Sequence, residues 1–581
     1  MLLHPISPFG WPWFQLCSYS ELRCFSSCGI DAGIKTQYTF GFNTGDFRLS
    51  QNIPFRQAAF IIVFLGVVQF IIQVSLLTKG VEYVAVSLTI DDTYYYLQTA
   101  WNAKMLGIVT FDGLHTTNGV QLFWFVIIFL LALLAKSKAI LLFMTLAVSF
   151  LLNGLCYLVI FKIGTVLKQP SLALFMASFW ALQSLPFRIY SMGMENSLHA
   201  LVFWCVIWQS VEFLIRVQNK EKPNFWGLTV VLILNAWTRL DSALLSAILY
   251  CFCIGTLVYS YRHNLRLFWQ RYIQLIAGTS LLAGFGLITQ LSAFRLMGDS
   301  FLPVSALVKT SSAARGLSTE ALDKFVEVFI LGMPSILQGR FPAFALVLLG
   351  ILGILFIMRA QIVQPGRIDQ LRAFLNLWSC LVVGELIYHI YVAVSGVEYR
   401  LYFAWYRSPS FIFWIITGSL IAFFAFESLK RLKLPEPIHR LAPIGFSLIV
   451  FAVAIYMFAR SIDFTSKLYA ARYDAALWIA ENSPPDTVFA SWNTGQLAFF
   501  SNRTFINLDG VINNVDYFKR VLQGSVPLAD YLIENQVDYV VDYSIYHPIP
   551  DYPVVHTFPI NDETGRSIHI WQVSQQISSA P

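Results

Sequence analysis

Residues 87–104 have the sequence SLTIDDTYYYLQTAWNAK, in which two adjacent acids precede three tyrosines. These acids, Asp91 and Asp92, follow a long apolar run at residues 57–78. One Asp is enough to cap a helix that begins here. Paired acids raise each other's pKa and suit proton transfer or metal binding. The stretch therefore predicts a helix at the membrane boundary, with at least one acid either capping it or performing chemistry.

The composition is that of a membrane protein. The 581 residues are 57% hydrophobic and 12% charged, whereas soluble domains contain about 25% charged residues. The net charge of +6 is small for this length, which favours basic cytoplasmic loops over a nucleic-acid partner. Residues 1–56 have no apolar core after a basic start and predict a cytoplasmic tail rather than a signal peptide.

About eleven apolar runs have roughly the length that a membrane-spanning helix needs, about 17–25 residues. The run at 225–238 is short, and the run at 120–134 is short and followed by AKSK, so we interpret the latter as a helix on the membrane surface. The predicted spans are 57–78, 139–161, 170–187, 197–215, 225–238, 242–260, 272–294, 342–358, 373–394, 409–427 and 442–459.

The basic residues predict the orientation of these spans. Turns such as 215–222 and 427–440 each carry several Lys or Arg, as cytoplasmic loops do. This places the N-terminus inside and leaves a first external loop at 79–138 and a second at 295–341. The chain then divides into a tail (1–56), a transmembrane domain (57–460) and an extracytoplasmic domain (461–581).

The extracytoplasmic part predicts a small α/β domain. YDAALWIAENS (473–483), DYFKRVL (516–522) and PLADYLIEN (527–535) have helical patterns. TVFASW (487–492), VDYVVDYS (537–544) and SIHIWQV (567–573) have the patterns of strands. Helices that alternate with strands indicate an α/β fold, and no P-loop or dinucleotide fingerprint occurs in it.

Ionisable groups collect on the external side of the predicted spans, which suggests a site at the boundary of membrane and water. For Glu195 a helix N-terminus is the alternative, and for Arg239 with Asp241 a mutual salt bridge. EYRLYFAWYR (398–407) is either an interfacial anchor or a phosphate clamp. The external groups are Asp91, Asp92, Asp112, Glu195, Arg239, Asp241, Lys309, Glu398, Arg400 and Arg407.

Several segments resemble the polytopic GT-C-type glycosyltransferases, close to bacterial relatives of the protein mannosyltransferases and aminoarabinose transferases. IDDTYYYLQTAWNAKMLGIVTFDGLHTTNGVQLFW (90–124) is similar to their first external loop. GMENSLHA (193–200) is similar to their GMET segment, TRLD (238–241) to their RPD, and NLDGVINN (507–514) to a motif of their terminal domain. The order and spacing of these segments carry the resemblance.

The resemblance implies a GT-C-like helical membrane domain and a polyprenyl-phosphate-linked sugar as donor. An acid of the first loop, Asp91 or Asp92, would take the proton from the hydroxyl of a glycan, lipid or protein acceptor. A divalent cation, Mg or Mn, is left open, with Asp91, Asp92 and Glu195 as its ligands if one binds. The implied location is a bacterial inner membrane. The implied substrate-binding residues are Asn118, Glu195, Arg239, Asp241, Lys309, Arg400, Arg407 and Asp509.

Two other functions compete with an enzyme. A transporter or flippase for a lipid-linked sugar would need ionisable groups near the bilayer midplane or internal repeats, whereas the charges here lie at one side. An inactive scaffold would use its terminal domain to bind a glycan or a partner.

Overall fold

A computed structural model describes residues 54–186, 189–311, 353, 369–394, 408–429, 435–462, 466–543, 552–561 and 565–573. Outside these residues lie the predicted span at 342–358 except Gly353, most of the predicted tail, and both Arg400 and Arg407.

The described chain is mainly helical, as predicted. Short helical turns at Leu76–Lys79, Val81–Tyr83, Val84–Leu88, Val515–Tyr517 and Phe518–Leu522 connect longer elements. The longer helices are α1 (Phe55–Ser75), α2 (Asp91–Leu106), α3 (Leu122–Leu134), α4 (Lys138–Leu167), α5 (Pro170–Ser184), α6 (Asn196–Gln218), α7 (Phe225–Thr238), α8 (Ser242–Ser260), α9 (Leu265–Gly298), α10 (Val304–Ser311), α11 (Asp369–Val394), α12 (Ser408–Leu429), α13 (Glu436–Ile462), α14 (Lys467–Asn482), α15 (Gly495–Ser501) and α16 (Leu528–Glu534).

Eight of these helices are long and apolar enough to cross a membrane, by length and composition, within the described residues. They are α1, α4, α6, α8, α9, α11, α12 and α13. The helix α9 has 34 residues, about 51 Å at 1.5 Å per residue, against a hydrocarbon core of about 30 Å. It begins at Leu265 and therefore includes Arg266 and Arg271, which precede the predicted span 272–294.

Three shorter helices fall on the remaining apolar runs. The helix α3 has 13 residues, about 20 Å, which is less than the thickness of the hydrocarbon core. The helices α5 and α7, over the predicted spans 170–187 and 225–238, have 15 and 14 residues. The surface position of α3 and the crossing of α5 and α7 stay predictions.

The loop before α6 is fixed by side chains from three other helices. Thr93 donates to the Met192 carbonyl at 2.7 Å, and Trp124 donates to the Gly193 carbonyl at 3.1 Å. Gln73, at the end of α1, donates to Ser191 at 2.7 Å. This loop therefore carries Glu195 to a defined place beside α2.

The C-terminal domain is a 5-stranded sheet with helices, in the strand order β2-β1-β3-β5-β4. The strands β1 and β3 pair in parallel, whereas β3, β5 and β4 form antiparallel pairs. The α/β domain predicted from the sequence is confirmed, with β2, β4 and α15 as elements that the patterns had not indicated. The strands are β1 (Val488–Ser491), β2 (Thr504–Asn507), β3 (Tyr539–Tyr543), β4 (Val554–Pro559) and β5 (Ser567–Gln572).

The segment 79–138, which the sequence predicts to be the first external loop, packs directly on this domain. The Tyr94 ring lies 5.1 Å from that of Phe499, and Thr117 donates to the Asn513 carbonyl at 2.9 Å. A Cβ on Gly119 would lie 3.0 Å from Ile512 Cα and still closer to the Val511 carbonyl oxygen. The backbones meet so closely here that only glycine fits without a shift.

We therefore expect Gly119→Ala to loosen the C-terminal domain, since overpacking backbone on backbone costs about 1–3 kcal/mol. Faster proteolytic release of the domain and a lower thermal midpoint in detergent would be measured. Gly255→Ala is the matched control, because nothing lies within 4 Å of an added Cβ there. Equal protease resistance of both variants would contradict the prediction.

Candidate functional site

A pocket open to solvent lies where α2, residues 119–121, the loop before α6, α10 and the C-terminal domain meet. Its charged lining comes from parts of the chain that are far apart in sequence and includes four of the ten predicted external charges: Asp92, Glu195, Arg239 and Lys309. The residues that line it are Asp92, Tyr95, Tyr96, Gly119, Val120, Gln121, Met194, Glu195, Arg239, Ser305, Lys309 and Val511.

The helix α2 sends its two acids to different places. Asp92, Tyr95 and Tyr96 lie three and four residues apart and so share one face, which lines the pocket. Asp91 lies about 100° around the helix axis from Asp92 and points with Tyr94 towards α15. The geometry thus separates two acids that the sequence presented as a pair.

Asp92 is the acid that faces the pocket, where it is partly exposed. Burial raises its pKa to about 6, and the nearby charges of Asp91 and Glu195 act in the same direction while Lys309 opposes them. A carboxylate with this pKa is mostly ionised at pH 7 and holds a proton more readily than an ordinary aspartate does. Asp92 is therefore suited to general base catalysis.

Asp91 instead joins the membrane part to the C-terminal domain. Its two oxygens accept hydrogen bonds from the backbone N–H groups of Gly495 (3.1 Å) and Gln496 (2.9 Å), in the first turn of α15. Arg472 lies 3.8 Å away as its ion-pair partner, and both side chains are buried. Asp91 thus has the capping role considered for it, but on α15 rather than on α2, whose N-cap is Ile90.

Arg239 forms a buried triad with two acids. Its guanidinium donates to Glu195 at 2.6 Å and to Asp241 at 3.1 and 2.9 Å. Tyr96 donates to the second oxygen of Glu195 at 2.9 Å, and Tyr388 donates to Asp241 at 3.2 Å. The salt bridge considered for Arg239 and Asp241 is present, and the triad makes one wall of the pocket rigid.

Lys309 supplies a second cation to the pocket lining. It stands one turn after Ser305 on α10, so both side chains face the pocket. Its charge acts on both Asp92 and Asp509, lowering the pKa of each against the effect of burial. Lys309 is therefore placed to meet a negative charge that enters beside Asp92.

Asp509 comes from the C-terminal domain and hydrogen-bonds a residue of the lining. It accepts hydrogen bonds from the Val511 backbone at 2.8 Å and from the Tyr95 hydroxyl at 3.2 Å. Burial raises its pKa to about 7, and the charges of Asp92 and Asp91 add to this effect. The terminal domain thus contributes a carboxyl group that acts in the same electrostatic environment as Asp92.

Asn118 lies outside the lining of the pocket, in a fully buried position. Its amide nitrogen donates to the carbonyls of Phe294, Ser300 and Leu302 at 3.0–3.2 Å. Its oxygen accepts from the Val304 backbone at 2.8 Å. The structure therefore places this predicted substrate ligand as the connection that fixes α10, and with it Lys309, to the first loop.

The acids considered for a divalent cation do not converge on one point. Both oxygens of Asp91 accept backbone hydrogen bonds, and both oxygens of Glu195 accept from Arg239 and Tyr96. Within the part of the chain that the structure describes, no group of three or more His, Cys, Asp or Glu side chains could hold a metal ion. These residues do not fit a cation, and we derive no step through one.

Sequence reasoning overlooked three residues of the site. Tyr95 and Tyr96 were noted only as part of a tyrosine run, although their spacing from Asp92 places all three on one helix face. Arg472, buried beside Asp91, was not considered. The sequence does contain a signal that Arg472 is buried. Arg472 follows Ala471 and lies within the apolar stripe of α14 that continues to Ala475 and Ile479.

These helices and the docked α/β domain have the architecture of a GT-C-type membrane glycosyltransferase, which confirms at the level of the fold the resemblance predicted from the sequence. In particular, the chain is similar to the crystal structure of ArnT from Cupriavidus metallidurans bound to undecaprenyl phosphate, with a TM-score of 0.51 and 11% identity. That match covers 88% of this chain and 97% of the other. ArnT from Cupriavidus metallidurans in the apo state gives a TM-score of 0.48 and 11% identity, over 86% of this chain and 97% of the other.

The sequence comparisons are less informative. Residues 461–574 match a family described as a domain of unknown function, DUF8728. No curated protein matches the chain.

Proposed function

We propose that this protein transfers a sugar from a polyprenyl-phosphate donor to an acceptor hydroxyl on the extracytoplasmic face of a bacterial cell membrane. The observation that carries the proposal is the pairing of Asp92 and Lys309 in one pocket, a base beside a cation. The fold adds support, because the similar ArnT structure is described as bound to undecaprenyl phosphate.

The chemistry follows from these two side chains. The ionised Asp92 accepts the proton of the acceptor hydroxyl. At the same time, the oxygen of that hydroxyl attacks the anomeric carbon of the donor. The new glycosidic bond forms as the bond between that carbon and the phosphate oxygen breaks. The electron pair leaves with the polyprenyl phosphate, whose additional charge Lys309 stabilises. The proton ends on Asp92 and is returned to water.

The buried triad serves this step by holding the pocket in shape. Arg239 is matched by Glu195 and Asp241, so the three groups together carry one net negative charge. They add no net positive charge for the phosphate, and we assign that role to Lys309, which lines the same pocket.

The direct test is turnover by the purified protein with a panel of polyprenyl-phosphate sugars, measured as release of polyprenyl phosphate. We expect at least one donor to be consumed by the parent protein and not by Asp92→Asn. Repeating the assay with a chelator examines the divalent cation that the sequence left open. A donor that binds, is not consumed and crosses the bilayer of proteoliposomes would instead support the flippase.

We expect Lys309→Gln to lower the transfer rate by about a hundredfold, because one stabilising charge at the leaving phosphate is lost. The measurement is kcat with the consumed donor at saturating concentration. Lys79→Gln is the control, since Lys79 is exposed and contacts the Tyr83 ring rather than the pocket. Equal rates for the two variants would remove Lys309 from the mechanism.

A further inference from the structure

Asp509 has no part in the proton and phosphate steps just described, yet it hydrogen-bonds Tyr95, which lines the pocket. It belongs to the turn between β2 and the short helix at Val515–Tyr517, and that turn is tightly held. Asn507 accepts from the Gly510 backbone at 2.9 Å, and Asn513 donates to the Asn507 carbonyl at 2.6 Å. Asp509 is thus on a rigid support, which is what a residue that orients a ligand needs.

The turn is also fixed against the first external loop, from the side of the pocket. Thr117 bonds the Asn513 carbonyl, Gly119 contacts Val511, and Tyr95 bonds Asp509. Tyr95 and Val511 both line the pocket. The carboxyl of Asp509 therefore sits at the seam between the C-terminal domain and α2, bonded to two residues that line the pocket.

The groups at this seam recognise hydroxyls rather than anions. The Tyr95 hydroxyl lies beside Asp509. The Asn507 amide nitrogen donates to this hydroxyl at 3.5 Å and to the Thr494 hydroxyl at 3.1 Å. Under the proposed function Lys309 already faces the donor phosphate, so a phosphate or carboxylate on the acceptor would meet the charges of Asp92 and Asp509 and be repelled. With a pKa raised to about 7 by burial and by Asp92, Asp509 can both donate and accept a hydrogen bond near neutral pH, as a hydroxyl partner requires.

Resting on the proposed function, we propose that Asp509 binds the acceptor and that this acceptor is an uncharged carbohydrate. One hydroxyl of the sugar reacts at Asp92 while a second hydroxyl of the same sugar is held by Asp509. If Asp92 and Asp509 each hold one hydroxyl, the acceptor must have at least two hydroxyls. A serine or threonine side chain offers only one. The terminal domain, which matches a family of unknown function, thereby supplies half of the acceptor site.

The test uses the full-length protein, the donor that the parent consumes, and octyl glycosides of common hexoses with their monodeoxy derivatives as acceptors. A serine-containing peptide is the competing acceptor. We expect a glycoside to be used, one deoxy derivative to have about tenfold lower kcat/KM, and Asp509→Ala to lose about tenfold on the full glycoside, mostly through KM. On that deoxy derivative, Asp509→Ala should have the same kcat/KM as the parent. On the full glycoside, Asp509→Asn should have a kcat/KM between those of Asp509→Ala and the parent.

A purely structural role would lower the rates on both acceptors in parallel, and parallel loss overturns the proposal. Use of the peptide in preference to every glycoside overturns it as well. Asp516→Asn is the control, because Asp516 is an exposed carboxyl of the same domain, with its side chain 62% exposed. If Asp92→Asn abolishes transfer while Asp509→Ala keeps the parent's acceptor KM, the acceptor assignment fails and the proposed function stands. If no donor is consumed, both fail.

Discussion

The Asp92→Asn variant is expected to lose about 10²- to 10⁴-fold in the rate of sugar transfer, the usual contribution of a general base. Asparagine keeps the size of the side chain and removes the proton acceptor. Because Asp92 is partly exposed to the pocket and makes none of the hydrogen bonds that join the two domains, the variant should fold as the parent does. The rate is measured with a lipid-linked donor, and folding by the thermal midpoint in detergent.

The matched control is the neighbouring residue. Asp91→Asn removes the charge that faces Arg472 and weakens the hydrogen bonds to Gly495 and Gln496. We expect it to show a lower thermal midpoint and a smaller loss of rate than Asp92→Asn. The reverse order, with a stable, inactive Asp91→Asn and an active Asp92→Asn, would exchange the two roles. Parent rates in both would move the search for the base to Glu195, Asp241 or Asp509.

The pH profile gives an independent check on the same residue. The pKa of Asp92 is raised to about 6 by burial, and only the deprotonated form accepts a proton. The kcat/KM of the parent should therefore fall as the pH drops through about 6. The residual activity of Asp92→Asn should lack this step, and a step of the same size in the variant would assign it to another group.

The second large effect is on stability. Arg239→Met leaves Glu195 and Asp241 buried without their cation, and breaking a buried ion pair in this way costs roughly 3–5 kcal/mol. We expect a markedly lower thermal midpoint in detergent and poor recovery of folded protein. Arg239→Lys keeps the charge but lacks the planar fork that contacts both acids. Its thermal midpoint should lie between those of Arg239→Met and the parent.

A second arginine serves as the control for this prediction. Arg216 bonds Glu212 at 2.6 Å on α6, but its side chain is 40% exposed. Such a pair contributes about 0.3–0.5 kcal/mol, so Arg216→Met should leave the midpoint nearly unchanged. Similar shifts of the thermal midpoint in Arg239→Met and Arg216→Met would contradict the expected cost of leaving Glu195 and Asp241 without their cation.

The sequence indicated the fold well because the fold follows from local patterns. Apolar runs of about 20 residues predict helices such as α4 and α12 without reference to the rest of the chain. Alternation of helical and strand patterns similarly predicted the α/β domain. The helix α9 extends beyond the predicted span 272–294 at both ends, because an apolar run marks the part of a helix that suits a membrane and not where its hydrogen bonding ends.

The roles within the site could not be assigned in the same way. Asp91 and Asp92 are equivalent in local pattern, and what distinguishes them is α15, about 400 residues later in the chain. Asn118 stands in a motif that suggests a ligand, yet its partners are backbone carbonyls at the end of α9, which no side-chain pattern reveals. Counting charges predicted that Asp92, Glu195, Arg239 and Lys309 belong together, but their partners depend on tertiary contacts.

The contact between Asp91 and α15 also bears on when the pocket is complete during synthesis. Every described membrane helix precedes residue 466 in the chain, so ribosomes finish these helices before the segment that carries Asp509 and Val511. A nascent chain already inserted in the bilayer thus has Asp92 without the opposite wall of its pocket. The pocket is complete only when this last folded segment has packed against α2 and residues 117–119. Under the proposed function, a chain without this segment would not transfer sugar.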